Sequence, residues 1–297
     1  MAQRPRNYEE FRAVTGFETP EGVARGLALK ARPTDIFISP YSKCGTTWMQ
    51  QIVHGLRSGG SMDFTEITEV VPWLELAHDM GVDLEAPQVA EPRAFKSHLP
   101  WEDIPKGGRY IVVLRDPLDA MLSLYRFFEG WWFETGAVSL EEFSGYYLTR
   151  GAEGWWHHAA SWLRVRDREE VLLIGYEHMK RDLPGAVAQV AAHMGGYPAE
   201  VQAIATRQAG FDFMKAHGGQ FDDNLVRKTR DAACGLPPGG AATKVASGQS
   251  GAGTTVPETM KQAFEAQWQA TIGAEFGFAS YAELLESLTP DAARASR

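Results

Sequence analysis

An α/β fold, with strands running straight into helices, is what this 297-residue sequence predicts. Two stretches carry the prediction. Residues 34–39 are a β-branched and aromatic run, and after a short loop residues 49–56 place Ile52, Val53 and Leu56 on one helical face behind a Thr-Thr start. Further on, Tyr110, Ile111, Val112, Val113 and Leu114 are contiguous, as in a parallel strand covered on both faces. Asp116 and Pro117 follow at once as an N-cap and a first helical residue. An apolar share of 44% and a charged share of 23% are those of an ordinary globular chain, long enough to bury a large core in one domain spanning 1–297.

The net charge of −9 argues against nucleic acid or an anionic membrane surface as a bulk partner. An anionic ligand must then be held by a local cluster of bases. The first twelve residues are polar and charged and no stretch approaches membrane-spanning length, so a cytoplasmic protein without a signal peptide is expected. Two cysteines, Cys44 and Cys234, fall short of a disulfide framework or a metal set, and no carboxylate cluster suggests a metal.

Residues 1–33 read as a polar lead-in with a helical stretch at 20–29. The strand at 34–39 then delivers Tyr41-Ser42-Lys43-Cys44-Gly45-Thr46-Thr47-Trp48 to the start of a helix. The first N–H groups of that helix lack intrahelical acceptors, the helix dipole adds partial positive charge, and Lys43 adds a whole one. An anion site results. It is not a Walker A loop, because the lysine precedes the only loop glycine, so an ATP or GTP site of the usual kind is disfavoured. Taken alone, the octapeptide also reads as a strand-to-helix turn with a surface lysine. Cys44, beside Lys43 at a helix start, is expected to have a lowered thiol pKa.

Residues 71–80, Val-Pro-Trp-Leu-Glu-Leu-Ala-His-Asp-Met, predict a short amphipathic helix with His78 at the surface. A strand at 93–97 ends in His98-Leu99-Pro100, where the proline stops it and leaves His98 at a carboxyl end, the place where open α/β sheets bind ligands. The same histidine reads equally as a packed or surface residue. Arg115 stands at the exit of the strong strand, and its fork suits phosphate better than a lysine would, unless it merely pairs with Asp116 or Asp119. The helix behind it is expected to run to Tyr125, carrying Ser123. Phe127, Phe128, Trp131, Trp132 and Phe133 divide between core and the wall of a pocket for an apolar or aromatic ligand.

Ser139 and Glu142 form a capping pattern for a helix to 147, and 154–165 is a tryptophan-rich helix made mainly for packing. A buried strand at 170–174 leads to Tyr176, then helices follow at 184–194, closed by Gly195-Gly196, and at 199–208. Residues 229–257 turn to Gly, Ala, Ser, Thr and Pro, the composition of a mobile lid. A final helix is expected at 258–276, with a frayed end from Thr289.

In order and spacing, these motifs resemble those of the soluble sulfotransferases. The octapeptide is similar to that family's 5′-phosphosulfate loop, Tyr-Pro-Lys-Ser-Gly-Thr-Thr-Trp, with Ser42 for proline and Cys44 for serine. Lys96-Ser97-His98-Leu99-Pro100 resembles Lys-Thr-His-Leu-Pro, whose histidine is the catalytic base. Arg115, with Ser123 eight residues on, resembles the segment that grips the nucleotide 3′-phosphate. Tyr176-Glu177-His178-Met179-Lys180 resembles Tyr-Glu-Asp-Met-Lys near the adenine, Phe211 resembles the adenine-stacking ring, and Arg227-Lys228-Thr229 resembles Arg-Lys-Gly, with threonine where a positive φ would ask for glycine.

The resemblance covers residues 34–230. It implies a central parallel β-sheet flanked by helices, related to nucleotide kinases, and the donor 3′-phosphoadenosine 5′-phosphosulfate (PAPS). It assigns catalysis to His98, Lys43, Lys96 and Ser123, and donor binding to Lys43, Cys44, Gly45, Thr46, Thr47, Trp48, Arg115, Ser123, Tyr176, Phe211, Arg227, Lys228 and Thr229, with no metal. The partner implied is a small hydroxyl acceptor, aromatic or hydrophobic. A non-catalytic 3′-phosphoadenosine-binding module and a nucleotide-type kinase are the alternatives. The family's dimer pattern, Lys-x3-Thr-Val-x3-Glu, is only echoed by Thr255-Val256, with Gly251 and Met260 in place of its charged ends, so the chain is expected to be a monomer or a homodimer of another kind.

Overall fold

The structure, a computed structural model, describes residues 2–239 and 256–289. Four parallel strands, β1 (Ile36–Ile38), β2 (Ala94–Lys96), β3 (Arg109–Leu114) and β4 (Val171–Gly175), lie in the order β2-β1-β3-β4. The helices are α1 (Tyr8–Ala13), α2 (Pro20–Leu27), α3 (Thr46–Arg57), α4 (Ile67–Val70), α5 (Pro117–Trp131), α6 (Leu140–Leu148), α7 (Trp155–Leu163), α8 (Tyr176–Arg181), α9 (Leu183–His193), α10 (Ala199–Gln208), α11 (Phe211–Ala216), α12 (Asn224–Arg230), α13 (Glu258–Trp268), α14 (Ala274–Phe276) and α15 (Tyr281–Ser287).

Alternation along each strand sends side chains to two separate cores, as the pleat requires. Ile36, Ile38, Ile111, Val113 and Ile174 pack with Met49, Ile52 and Val53 of α3 and with Val187 and Val190 of α9. Phe37, Phe95, Tyr110, Val112 and Leu173 face the other way, against α5, α7 and α13. Because Phe37 is in register with both Phe95 and Tyr110, the three rings stack across β2, β1 and β3 with centroids 5.5 Å apart. Each such pair adds about 0.5–1.5 kcal/mol beyond its buried area. Apolar helices cover both faces of the sheet, which explains strands that are apolar except for Lys96 and Arg109 at their ends.

Three local expectations are corrected. Residues 71–80 are not one helix: Pro72 lacks an N–H and biases Val71 away from helical geometry, so the chain bridges β2 at Trp73 and then turns through 74–77. Leu74 N–H donates to Lys96 O and Lys96 N–H to Pro72 O, both at 2.8 Å, before one 3₁₀ turn at His78–Met80. The open edge of β2 is thereby covered. The lead-in holds two helices rather than one, and it packs against the body of the protein. The helix α5 runs beyond Tyr125 to Trp131, because Leu124, Phe127, Phe128 and Trp131 continue its apolar face.

Toward the carboxyl end, 258–276 is helical throughout, as expected, widening to a π turn over Gln269–Gly273, and α15 follows as a further helix. Arg227, Lys228 and Thr229 lie within α12, not at the start of a loop. Most of the lid expected at 229–257, with Gly251 and Thr255 of the dimer pattern, lies outside the described residues, as does the tail beyond Thr289. No helix of the described residues is long and apolar enough to cross a membrane.

Candidate functional site

β1 and β3 are neighbours although β2 separates them in the chain, so the path leaves β1 toward one edge and resumes on the other side of it. A crevice opens outside the carboxyl ends of strands at such a reversal. Into it run the loop that follows β1 and Arg115, which follows β3.

Gly45 caps α3 with φ 96°, and a Cβ there would stand 3.0 Å from the Tyr176 ring, so glycine is required on both counts. Lys43 has φ 64°, the only positive φ of a non-glycine among the described residues. That conformation costs on the order of 1 kcal/mol and persists only where the surroundings enforce it. Arg115 does so, its Nη1 donating to Lys43 O at 2.9 Å. Met49 N–H reaches back to Gly45 O at 3.0 Å, so the amides of Thr46, Thr47 and Trp48 precede the helical ladder and front the loop.

A cleft of about 1490 Å³ gathers Lys43, Gly45, Thr46, Thr47, Trp48, Lys96, His98, Arg115, Ser123, Tyr176 and Phe211. Five segments far apart in sequence thus meet. At one end Arg115 lies over the Tyr176 ring at 4.5 Å, Trp48 meets Tyr176 edge to face at 5.4 Å, and Trp48 Nε1 donates to Ala209 O at 2.8 Å, which sets Phe211 beside them. Phe211 is one of few large apolar side chains left exposed, at 41%. Buried Thr46 Oγ1 and Arg115 Nε have no protein partner. Two unsatisfied buried polar groups beside a basic loop and an exposed ring suit a phosphorylated aromatic ligand. The donor set fits what the motifs imply.

At the centre, Lys43 Nζ sits 4.1 Å above the ring of Phe127, one helical turn from Ser123 on α5. Lys96 Nζ sits 3.5 Å above Trp73. His98 Nδ1 lies 2.7 Å from Pro40 O. A carbonyl only accepts, so Nδ1 carries the proton and Nε2 is the basic nitrogen of the neutral ring. Glu75 Oε1 accepts the His98 backbone N–H at 2.9 Å, while its Oε2 is buried without a partner. Burial raises the Glu75 carboxyl to about 7, against the lowering effect of that hydrogen bond.

Four expected donor-binding residues stand elsewhere. Cys44, Arg227, Lys228 and Thr229 do not line the cleft of the described residues. Cys44 is wholly buried, its N–H is spent on Tyr41 O at 3.1 Å, and burial pushes its thiol up to about 12 instead of down. Desolvation outweighs the nearby bases. Arg227 turns to Asp231, 3.6 Å away on the next turn, Lys228 is exposed, and Thr229 Oγ1 donates within its helix to Leu225 O and Val226 O.

Conversely, the cleft includes residues that motif reasoning passed over: Trp73, Glu75, Arg150, and from the lead-in Phe11 and Phe17. Pro72 was the available signal against a helix at 71–75. Phe11 and Phe17 carried none, since isolated aromatics in a polar stretch show no periodicity. Among the described residues no group of three His, Cys, Asp or Glu side chains is placed to hold a metal.

Comparison with known proteins bears on the family and the fold. The pattern defining the sulfotransferase domain matches residues 33–231. Similar proteins include sulfotransferase 1C2 of Rattus norvegicus, 30% identical over 185 residues that make up 56% of this chain and 60% of the relative. Another is the amine sulfotransferase of Oryctolagus cuniculus, 32% identical over 196 residues, 62% of this chain and 64% of the relative. The matches therefore span less than two thirds of these relatives. Among solved structures, retinol dehydratase in complex with androsterone and inactive cofactor PAP superposes with TM-score 0.66 at 20% identity, covering 84% of this chain and 85% of that one. Mouse sulfotransferase SULT7A1 complexed with PAP gives 0.65 at 19%, covering 94% and 92%. At such identity the likeness is one of fold. Together with the motif order and the domain match, it places the chain in the sulfotransferase domain family.

Proposed function

We propose that this protein transfers a sulfuryl group from PAPS to the hydroxyl of a small aromatic or hydrophobic acceptor, within a single domain. The observation that carries the proposal is the convergence of Lys43, Lys96, His98, Arg115 and Ser123 on one cleft at the carboxyl ends of the strands. PAPS, when bound, supplies a sulfuryl group on a phosphate leaving group. Arg115 and Ser123 hold the 3′-phosphate, the amides of residues 45–48 hold the 5′-phosphate, and Phe211, Tyr176 and Trp48 take the adenine.

His98 Nε2 accepts the proton of the acceptor hydroxyl as the new O–S bond forms. Lys96 holds the sulfuryl oxygens, and Lys43 neutralises the charge left on the 5′-phosphate as the old O–S bond breaks, while Ser123 restrains Lys43 beforehand. By analogy with phosphoryl transfer, the transition state is loose and in line, so positioning and charge stabilisation supply most of the rate. Phe11, Phe17, Trp131 and Trp132 line the far end of the cleft and favour a flat, apolar acceptor.

The test is transfer of labelled sulfate from PAPS to a panel of phenols and hydrophobic alcohols, alongside calorimetry with the product 3′-phosphoadenosine 5′-phosphate (PAP). Binding together with transfer is expected. PAP binding without transfer to any acceptor would leave a nucleotide-binding module, and no binding at all would sink the donor assignment.

A further inference from the structure

Among the cations that line the cleft without a part in the transfer chemistry is Arg150, held by a hydrogen bond from within it. Arg150 lies just beyond α6, its guanidinium 5.6 Å from the ring of Tyr146, which stacks on Tyr8 of α1 at 4.2 Å. It therefore sits between the aromatic rings of the lead-in and Tyr41, where the loop after β1 begins. Nη1 donates to the Tyr41 hydroxyl at 3.0 Å, and Nε is buried with no partner.

The carboxylate nearest to it among the described residues is Glu153, 3.8 Å away and 81% exposed, against 21% for the Arg150 side chain. A counter-ion so placed is held by water as much as by the arginine. A mostly desolvated guanidinium with a buried N–H unsatisfied and a loose partner is built to receive an anion with two oxygens. The other anchor lies on the same wall: Pro40, whose carbonyl orients His98, precedes Tyr41, whose hydroxyl orients Arg150.

We propose that Arg150 binds a carboxylate carried by the acceptor, so that the preferred substrates are hydroxylated aromatic acids. This assignment rests on the sulfuryl transfer proposed above and names its acceptor class. The ring lies among the aromatics, the hydroxyl reaches His98, and the carboxylate displaces Glu153 from Arg150 into solvent. An uncharged analogue leaves the guanidinium as unsatisfied as before.

The probes are 3-(4-hydroxyphenyl)propanoate and its methyl ester. Binding is followed by quenching of tryptophan fluorescence in the PAP-saturated protein, and turnover by sulfate transfer from PAPS. Wild type should bind the acid about tenfold or more tighter than the ester, as expected for a charge-assisted pair. That ratio should fall to about one in Arg150→Gln, be partly kept in Arg150→Lys, and shrink with added salt in wild type. PAP calorimetry reports whether each variant is folded; should Arg150→Gln not fold, Arg150→Lys and the salt dependence decide. Equal affinity of wild type for acid and ester, or an equal loss of both in Arg150→Gln, overturns the proposal. Tight binding of the acid with no sulfate transferred supports Arg150 and sinks the activity; equal turnover of both probes supports the activity and sinks Arg150.

Discussion

His98 and Arg115 stand about as far apart in task as two residues of one cleft can. His98, with Nδ1 held by Pro40 O, offers Nε2 as a base, so His98→Ala should lower kcat roughly 10²- to 10⁴-fold and leave PAP affinity nearly unchanged. Arg115→Ala should instead weaken PAP binding roughly tenfold to a hundredfold by removing charge-assisted bonds and the clamp on Lys43 O. Steady-state kinetics with PAP calorimetry check both, and a reversed pattern would exchange the roles. Glu75 adds a pH effect. Its folded pKa of about 7 lies above the ordinary 4.5, so its contribution to stability is fully present below 4.5 and is lost as pH rises through 7. Glu75→Gln still accepts the His98 amide but does not titrate, so the variant should gain on wild type with rising pH, by up to about 3 kcal/mol. Thermal melts from pH 5 to 8 check this; a difference independent of pH would mean that Glu75 does not titrate there.

At the level of elements, local chemistry was most legible where it is self-contained. Asp116 accepts from Leu118 N–H and Asp119 N–H at 2.9 and 3.0 Å, and Pro117 needs no acceptor, as the Arg-Asp-Pro sequence led one to expect. Asp116→Ala should cost about 1 kcal/mol, read as a lower urea midpoint, with Asp116→Asn recovering most of it. Ser139 and Glu142 likewise close the capping box expected at α6. Legibility ended where a segment is shaped by a distant neighbour. The apolar residues at 71–80 suit a helix, yet Pro72 and the open edge of β2 hold Trp73 in a bridge to Lys96 with turns behind it, and Trp73 and Glu75 arrive beside Lys96 and His98 for that reason. Arg227 to Thr229 went the other way, since residues resembling a loop motif here belong to α12.

Across the whole molecule, the two ends of the sheet carry different duties. At the amino ends of β1 and β2, opposite the cleft, Arg93 grips Asp35 with Nε to Oδ1 at 2.9 Å and Nη2 to Oδ2 at 2.6 Å, both side chains essentially buried. Asp35→Ala would leave that guanidinium only the exposed Glu85 carboxylate, 3.3 Å away, and should cost about 3–5 kcal/mol, measured by chemical denaturation. The folded fraction should bind PAP as wild type does; a loss of affinity would show that the two ends are coupled.

Strand and helix alternation, the strand-to-helix turn at 41–48, His98 at a strand end and the arginine behind β3 were all set by the chain alone, because each depends on neighbours within a few residues. Packing alone decided that the lead-in walls the cleft with Phe11 and Phe17, that Cys44 is buried, and that Glu75 and Arg150 line the cleft. Those outcomes turn on desolvation and on contacts between residues far apart in sequence, quantities that exist only once the chain has folded.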